Sequence, residues 1–520
     1  MGIAVRRFDY IVVGGGTAGC VLAARLSQDP ATRVLLLEAG AAQPTAAMAN
    51  PAAWFSLAGT SVDWAYQTVP QSGTDHAVHA WPRGKVLGGC SGINGMMHIR
   101  GDRVSYDAWE TAGATGWNYD ALLPFFKRTE RSHDGDSSYR GVDGPMEIAH
   151  LDATEPLWVA CYEAALEAGH ARNDDNNGAV ADGVSWIESN IVDGARQSAA
   201  DAYLTPAASR ANLTIVAGAH AQRLLIDRST CRGVEHIVNG HVRSSFADRE
   251  VILSAGAIGT PQLLLLSGIG PGQHLRDLGL DVVADVPGVG ANLHDHLKAE
   301  VAYTGTRPSR TTRYSRKPVV LTRTTPSAPL DMQMIFLDFP MHPRFRPGPE
   351  DGYSVIFGLM TPASRGSVRL ASVDPAQPPL IDPNYLSEES DRRRMVAGLR
   401  LAREVGAAGA LAPWREKELF PGSGAQTDDA LTAHLRRSVS TYYHPVGTCK
   451  IGTDAMSVVD PQLRVRNITN LRVADASVMP SIVSGNTNAP VLAIAERAAS
   501  LVIGEPTADR SGINTATARA

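Results

Sequence analysis

Residues 8–40 read FDYIVVGGGTAGCVLAARLSQDPATRVLLLEAG, and this stretch decides the fold. A short apolar run leads directly into Gly14, Gly16 and Gly19, and a second apolar run ends on Glu38. The order of strand, glycine-rich turn, helix, strand and acid is the dinucleotide-binding fingerprint. It predicts a mostly parallel sheet with βαβ crossovers, and a diphosphate at the helix N-terminus, where free N–H groups favour an anion.

Glu38 narrows the choice of dinucleotide. Its position at the end of the second strand predicts hydrogen bonds from the adenosine ribose hydroxyls. A carboxylate there repels a 2′-phosphate, which disfavours NADP, whereas NAD and FAD both stay open on this stretch. The alternative interpretation is a glycine turn between packed elements that binds no nucleotide.

Length and composition set the broad class. A chain of 520 residues predicts two or three domains, and 44% hydrophobic with 19% charged residues is typical of globular proteins. The net charge of −5 gives no reason to expect nucleic acid, and no apolar run reaches the roughly 18 residues of a membrane span. The first strand leaves no room for a secretory signal, so a cytoplasmic location is expected. Five scattered cysteines favour no disulfide framework.

Further patterns follow along the chain. Residues 81–95, WPRGKVLGGCSGING, predict backbone lying against a flat or anionic group. Helices are expected over 156–168 and 391–404, with Arg196 to Leu204 as the entry to another. Strands are expected at 213–216 and 250–254, the latter running into a leucine-rich helix. Residues 301–370 alternate polar and apolar positions, which indicates an antiparallel sheet.

Four motifs in order resemble the glucose–methanol–choline (GMC) family of flavoprotein oxidoreductases, over about residues 7–505. They are the fingerprint ending at 38–40, the segment 84–94, the segment 256–270, and a C-terminal set formed by HPVGTC (444–449), RVADAS (472–477) and NTNAP (486–490). The resemblance implies an FAD cofactor. It also implies an α/β fold, in which a Rossmann-like FAD-binding domain (1–150, 220–300 and 438–505) is interleaved with an α+β substrate domain built on an antiparallel sheet (151–219 and 301–437). The active site is expected at their junction, and residues 506–520 are expected to be a disordered tail.

The resemblance also implies which residues bind the cofactor. They are Gly14, Gly16, Thr17, Ala18, Gly19, Glu38, Ala39, Arg83, Gly84, Leu87, Gly88, Ser91, Asn94, Gly95, Ala221, Asp475, Ala476, Asn486 and Thr487. Some members of the family attach FAD through a histidine in the first signature. That position is Ile93 here, so we expect non-covalent FAD.

His444 corresponds to the catalytic base of the family, and Asn486 stands at the position of its partner. A neutral imidazole with a pKa near neutrality can take the alcohol proton, so the rate is expected to rise with pH through its ordinary titration. The Asn486 amide would donate to the developing alkoxide while hydride passes to flavin N5. Tyr442 and Tyr443 are expected to line the substrate and flavin sides.

The leading function is oxidation of a primary alcohol on an aromatic, heteroaromatic or small polar carrier, with electrons passing to O₂ or to a quinone or dye. A hydroxynitrile lyase, a photodecarboxylase and a nucleotide-binding module without catalysis stay open. His294-Asp295-His296 could suggest a metal site, but a loop of this type lies near the cofactor in the family, so no metal is expected. The sequence does not choose the alcohol, the acceptor or the oligomeric state.

Overall fold

The computed structural model describes residues 6–151, 154–311, 314–344, 346–348 and 350–505. Two large sheets contain, in chain order, β1 (Arg6–Val13), β2 (Val34–Glu38), β3 (Gly183–Trp186), β4 (Leu213–Ala217), β5 (Ala219–Asp227), β6 (Thr230–Val238), β7 (His241–Leu253), β8 (Leu297–Gly305), β9 (Pro318–Thr322), β10 (Met332–Leu337), β11 (Gly352–Leu359), β12 (Arg415–Phe420), β13 (Ser440–Thr441) and β14 (Leu471–Val473). The longer helices are α1 (Thr17–Leu26), α2 (Arg103–Thr111), α3 (Tyr119–Thr129), α4 (Pro156–Glu167), α5 (Gly256–Leu266), α6 (Glu389–Ala407), α7 (Asp428–Ser438) and α8 (Asn488–Ile503).

The first sheet has the strand order β4-β2-β1-β7-β6-β5, with β14 beside β7. Strands β4, β2, β1, β7 and β14 run parallel, while β7, β6 and β5 form an antiparallel meander. All five residues of β2 are buried, as expected for a parallel strand covered on both faces. The parallel order brings Gly14, directly after β1, and Glu38, the last residue of β2, to the same edge of the sheet.

The second sheet has the strand order β12-β8-β11-β10-β9-β3, with β13 beside β8, and every pairing in it is antiparallel. The antiparallel sheet predicted over 301–370 is therefore found. One face packs on α4 and α6 through an apolar core that includes Ala299, Val301 and Leu399. Lys298 alternates with Ala299 along β8, and Ile335 and Leu337 alternate with the core residues Met334 and Phe336 along β10; all three line a cavity on the other face.

The sheets shift the predicted domain boundaries. β4 pairs with β2, so Leu213–Ala217 belongs to the first sheet and not to the substrate segment 151–219. β8 begins at Leu297 and pairs with β13, so the second sheet takes residues from both sides of the boundaries at 300 and 438. A short apolar run does not reveal which sheet it will join, because pairing partners distant in the chain decide this.

The helix entry predicted over Arg196 to Leu204 is confirmed in part. Ala195–Arg196 is an extended pair with Ile191–Val192, but a π-helical turn, Ala200–Leu204, and a short α-helix, Thr205–Ala207, follow. The Arg196 guanidinium donates to the Met48 carbonyl at 2.8 Å and to Asn94 Oδ1 at 2.8 Å, and these bonds hold it against the glycine-rich loop.

The tail predicted at 506–520 lies outside the described residues. Within the described ranges, we find no helix with the length and apolar character to cross a bilayer.

Candidate active site

A cavity of about 680 Å³ lies where the two sheets meet. It runs from the ends of β1 and β2 to His444, and most of the expected site residues line it. These are Gly14, Gly16, Thr17, Ala18, Glu38, Ala39, Arg83, Gly84, Asn94, Gly95, Ala221, Tyr442, Tyr443, His444, Asp475, Ala476, Asn486 and Thr487.

Four expected cofactor residues do not line the cavity, namely Gly19, Leu87, Gly88 and Ser91. They shape the loops behind it. A Cβ on Gly19 would lie 1.8 Å from the Gly14 carbonyl oxygen, so only glycine lets α1 approach β1 there. Gly88 N–H donates to the Gly15 carbonyl at 2.8 Å, and Ser91 Oγ donates to the Gly88 carbonyl at 2.6 Å. The first bond ties the second glycine-rich loop to the first, and the other braces the second loop internally.

Helix α1 presents an uncapped N-terminus to the cavity. Its N-cap residue is Gly16, which has no side chain to accept from the N–H groups of the first turn. Those N–H groups can therefore bind an anion, as the fingerprint predicts. Gly95 lines the same cavity, and a Cβ placed on it would have no heavy atom within 4 Å, so the space beside it is open.

Two buried carboxylates organise this end of the cavity. Glu38 accepts from Gly15 N–H at 2.8 Å and from Gly40 N–H at 2.7 Å, and burial raises its pKa to about 7. Asp475 accepts from Gly256 N–H at 2.8 Å and from Thr260 Oγ1 at 2.6 Å, which joins the start of α5 to the C-terminal segment. The uncapped helix, the carboxylate at β2 and the open space at Gly95 fit a flavin dinucleotide.

His444 is held by a second histidine. His444 Nδ1 lies 2.9 Å from His296 Nδ1, and His296 Nε2 lies 2.9 Å from the Val483 carbonyl oxygen. Because a carbonyl only accepts, His296 Nε2 carries the proton, and the Nδ1 of this neutral ring is left to accept. His444 Nδ1 is therefore the donor between the two rings, and the Nε2 of a neutral His444 has a free lone pair.

Asn486 faces that lone pair. Gln333 Nε2, on β10, donates to Asn486 Oδ1 at 3.1 Å, so the Asn486 amide turns its Nδ2 toward His444. The distance from Asn486 Nδ2 to His444 Nε2 is 3.4 Å. His444 Nε2, which can accept a proton, and Asn486 Nδ2, which can donate a hydrogen bond, therefore lie side by side at one end of the cavity.

Burial keeps both imidazoles neutral. Desolvation lowers the pKa of His296 to about 3 and holds the pKa of His444 well below its ordinary value of 6.5. The positive charges of Arg83 and Lys298 push the His444 pKa in the same direction. The ordinary imidazole titration expected from sequence is thus displaced to lower pH.

Asp295 fixes the backbone beside the imidazole pair. Its Oδ1 accepts from the His444 N–H at 2.8 Å, and its Oδ2 accepts from the Tyr385 hydroxyl. The segment His294-Asp295-His296 therefore holds His444 through Asp295 and His296. No group of three or more His, Cys, Asp or Glu side chains suited to a metal occurs in the described ranges.

The two tyrosines differ in their contacts. The Tyr442 ring stacks on the His444 imidazole, with 5.2 Å between centroids and 19° between planes. Gly358 makes room for that ring, because a Cβ there would lie 2.6 Å from Tyr442 Cε2. Tyr443 adopts a φ of +68°, and its carbonyl accepts from the Arg83 guanidinium at 2.6 Å.

Sequence reasoning placed Asp295 and His296 near the cofactor without giving them a role, and it gave no site role to Lys298, Gln333 and Arg196, which also build the site. Lys298 and Glu300 interrupt the otherwise apolar strand β8, a pattern that becomes a signal only once the structure shows the strand to be buried on both faces. Both are buried, and a charged side chain in a buried strand points to a functional face. Gln333 and Arg196 had no local signal, because their roles depend on partners far away in the chain.

Comparison with known proteins agrees with this fold. Residues 8–298 and 362–495 match two family profiles described as GMC oxidoreductase. The chain belongs to the GMC oxidoreductase family, and it is an FAD-dependent oxidoreductase that acts on CH–OH donors. The expected family, fold, enzyme class and cofactor are confirmed.

Individual relatives carry different names. Human mitochondrial choline dehydrogenase is 42% identical over 96% of this chain and 90% of its own length. An alcohol dehydrogenase [acceptor] from Pseudomonas putida is 39% identical over 95% and 96%. The crystal structure of pyridoxine 4-oxidase from Mesorbium loti superposes with a TM-score of 0.92 at 37% identity, covering 96% of this chain and all of that one.

Proposed function

We propose that this protein oxidises a primary alcohol to the aldehyde, with His444 as the base that removes the hydroxyl proton. The observation that carries the proposal is the facing pair of His444 Nε2 and Asn486 Nδ2, 3.4 Å apart at the wall of the cavity. An alcohol oxygen bound against both atoms gives its proton to the imidazole and accepts from the amide. The names of the relatives give different alcohols, so they support the class of reaction and not one particular substrate.

The residues around His444 prepare it for this role. His296 holds the His444 Nδ1–H, which leaves Nε2 as the basic atom and fixes the plane of the ring. Gln333 holds the Asn486 oxygen, which keeps the amide nitrogen aimed at the alkoxide as charge develops. When bound, FAD supplies the acceptor for the hydride that leaves the alcohol carbon. The electrons then pass to O₂ or to a quinone or dye-type acceptor.

The test is anaerobic stopped-flow reduction of the yellow holoenzyme with a panel of primary alcohols. His444→Ala leaves Glu38 and the α1 N-terminus untouched, so it should keep FAD. Its rate constant for flavin reduction should fall by about 10²–10⁴-fold, as is typical when a general base is lost. Asn486→Ala should cost about 10²–10³-fold, the usual effect of one lost oxyanion donor. His241→Ala, at an exposed position, is the matched control and should behave as wild type.

Two results would overturn the proposal. A His444→Ala enzyme that reduces its flavin within tenfold of wild type would show that another group is the base. Product release with the flavin still oxidised would point to a lyase that uses the same fold without redox chemistry.

A further inference from the structure

Charge is unevenly distributed along the cavity. Among the described residues that line it, the carboxylates are Glu38 and Asp475, and both lie at the end built by β2 and the start of α5. The cationic side chains that line the cavity are Arg83, Lys298, Arg316, Lys317 and Arg344, and of these Arg83 and Lys298 act electrostatically on His444.

Lys298 is the cation that lies deepest. It is 2% exposed, and it projects from β8 into the cavity. Its Nζ lies 4.0 Å from the centroid of the Tyr443 ring and 5.4 Å from that of Tyr442. Since the Tyr442 ring stacks directly on His444, the Lys298 amine stands one ring away from the base.

The position of Lys298 bears on the kind of alcohol that can bind. Aromatic faces are the usual receptors for a quaternary ammonium group, but here the Lys298 amine already occupies that contact with both tyrosine rings. A cationic substrate would displace this contact and would meet a like charge whenever the Lys298 amine is protonated, which is unfavourable.

An anionic substrate gains from the same arrangement. Burial lowers the pKa of the Lys298 amine, while Asp295 and Glu300 oppose that shift. Asp295 already accepts from His444 N–H and from the Tyr385 hydroxyl. A carboxylate in the cavity would favour the charged ammonium and accept a strong charge-assisted hydrogen bond from it.

We propose that the alcohol carries an anionic group, such as a carboxylate, that pairs with Lys298, and that alcohols bearing a quaternary ammonium group are poor substrates. This inference rests on the proposed alcohol oxidation and names its substrate class. The substrate class that it predicts differs from the substrate in the names of the choline dehydrogenase relatives.

Three para-substituted benzyl alcohols of similar size test the inference, and they differ in charge. They are 4-(hydroxymethyl)benzoate, 4-(hydroxymethyl)benzamide and 4-(trimethylammonio)benzyl alcohol. We expect kcat/KM for the benzoate to exceed that for the ammonium compound by about tenfold or more, with the amide between them.

Lys298→Gln should bring the kcat/KM values of the benzoate and the amide within about threefold of each other. Gln is preferred to Glu because a third carboxylate beside Asp295 and Glu300 could prevent folding.

Lys417→Gln is the matched control. Lys417 lies on β12 of the same sheet but is exposed, so the same loss of charge should leave the substrate order unchanged. A binding experiment separates this inference from the proposed function. Benzoate and benzyltrimethylammonium, which cannot be oxidised at an alcohol, are titrated into the oxidised holoenzyme while the flavin spectrum is recorded. Benzoate should bind at least about tenfold more tightly, and Lys298→Gln should remove that difference.

Each outcome decides one of the two proposals. If no alcohol reduces the flavin but benzoate binds in a Lys298-dependent way, the proposed oxidation fails and the anion site stands. If the alcohols are oxidised but the ammonium compound is preferred, the inference about charge is overturned. It is also overturned if Lys298→Gln leaves the order of the three substrates intact.

Discussion

The His444 imidazole has a lowered pKa and becomes protonated only at unusually low pH, because it is buried and lies near positive groups. Desolvation is the largest cause of its depressed pKa, and His296, Arg83 and Lys298 add to it. The neutral form is the base, and it predominates above the pKa of the folded protein. The rate constant for flavin reduction should thus be on its plateau near pH 6.5 and above, and should fall only at lower pH, by about tenfold per unit.

Stopped-flow reduction between about pH 4.5 and 8 measures this profile. Asn486→Ala is the control, since it should lower the plateau without moving the acid limb. An acid limb centred on the ordinary imidazole pKa of 6.5 would contradict the structural account and restore the expectation made from sequence.

His296 is a positioning residue, because it acts through the ring of His444. His296→Leu removes the acceptor for His444 Nδ1–H and should slow flavin reduction by about 10–100-fold, the usual effect of losing an orienting partner. His296→Asn can donate to Val483 with its amide and accept from His444 with its oxygen. It should therefore recover part of the rate, and it should leave the acid limb of the pH profile closer to that of wild type.

The measurement is the pH profile of the rate constant for flavin reduction in both variants, with FAD content checked by absorbance. Equal rates in the Leu and Asn variants would show that His296 only fills space. The sequence motif predicted His444 and Asn486 together, but not this imidazole pair. The two histidines are 148 residues apart, and their contact depends on how two loops meet.

At the scale of elements, strand β8 shows where sequence patterns mislead. Lys298 and Glu300 alternate with Leu297, Ala299 and Val301, which is the pattern of a strand with one face in water. Eight of its nine residues are buried, because α6 covers one face and the cavity wall forms the other. The strand could be predicted from its period, but its burial on both faces could not.

Helix α1 was predictable because its constraint is local. Gly14, Gly16 and Gly19 and the two flanking strands lie within one βαβ unit, so spacing alone indicates the turn. Gly19→Ala should separate α1 from β1, since its Cβ would fall 1.8 Å from the Gly14 carbonyl oxygen. We expect a loss of stability of about 1–3 kcal/mol or more, together with reduced FAD content.

Thermal unfolding and the ratio of flavin to protein absorbance measure both effects. Gly424→Ala is the matched control, because its Cβ would have no heavy atom within 4 Å. That variant should stay within about 0.5 kcal/mol of wild type. Full FAD content and an unchanged melting temperature in Gly19→Ala would show that the helix can shift at little cost.

At the scale of the whole molecule, the cavity is assembled from segments spread along nearly the full chain. The first sheet contributes Glu38, the second contributes Lys298, and the C-terminal segment contributes His444 and Asn486. The family motifs predicted the first and third of these contributions. The second depends on how the antiparallel sheet is placed against the nucleotide end, which no spacing in the sequence reveals.

The same assembly determines how FAD is held. Ile93 lines the cavity next to Asn94, and its aliphatic side chain offers no atom for a covalent bond to the flavin. Acid denaturation followed by centrifugation should therefore leave the yellow colour in the supernatant, and a yellow pellet would contradict this.

Since FAD then binds reversibly to the folded state alone, added FAD should raise the stability of the folded protein, by about 2.7 kcal/mol at a hundred times Kd. Thermal melts at increasing FAD concentration measure the effect. Glu38→Gln should require more FAD for the same melting temperature, because an amide keeps one acceptor oxygen where the carboxylate has two.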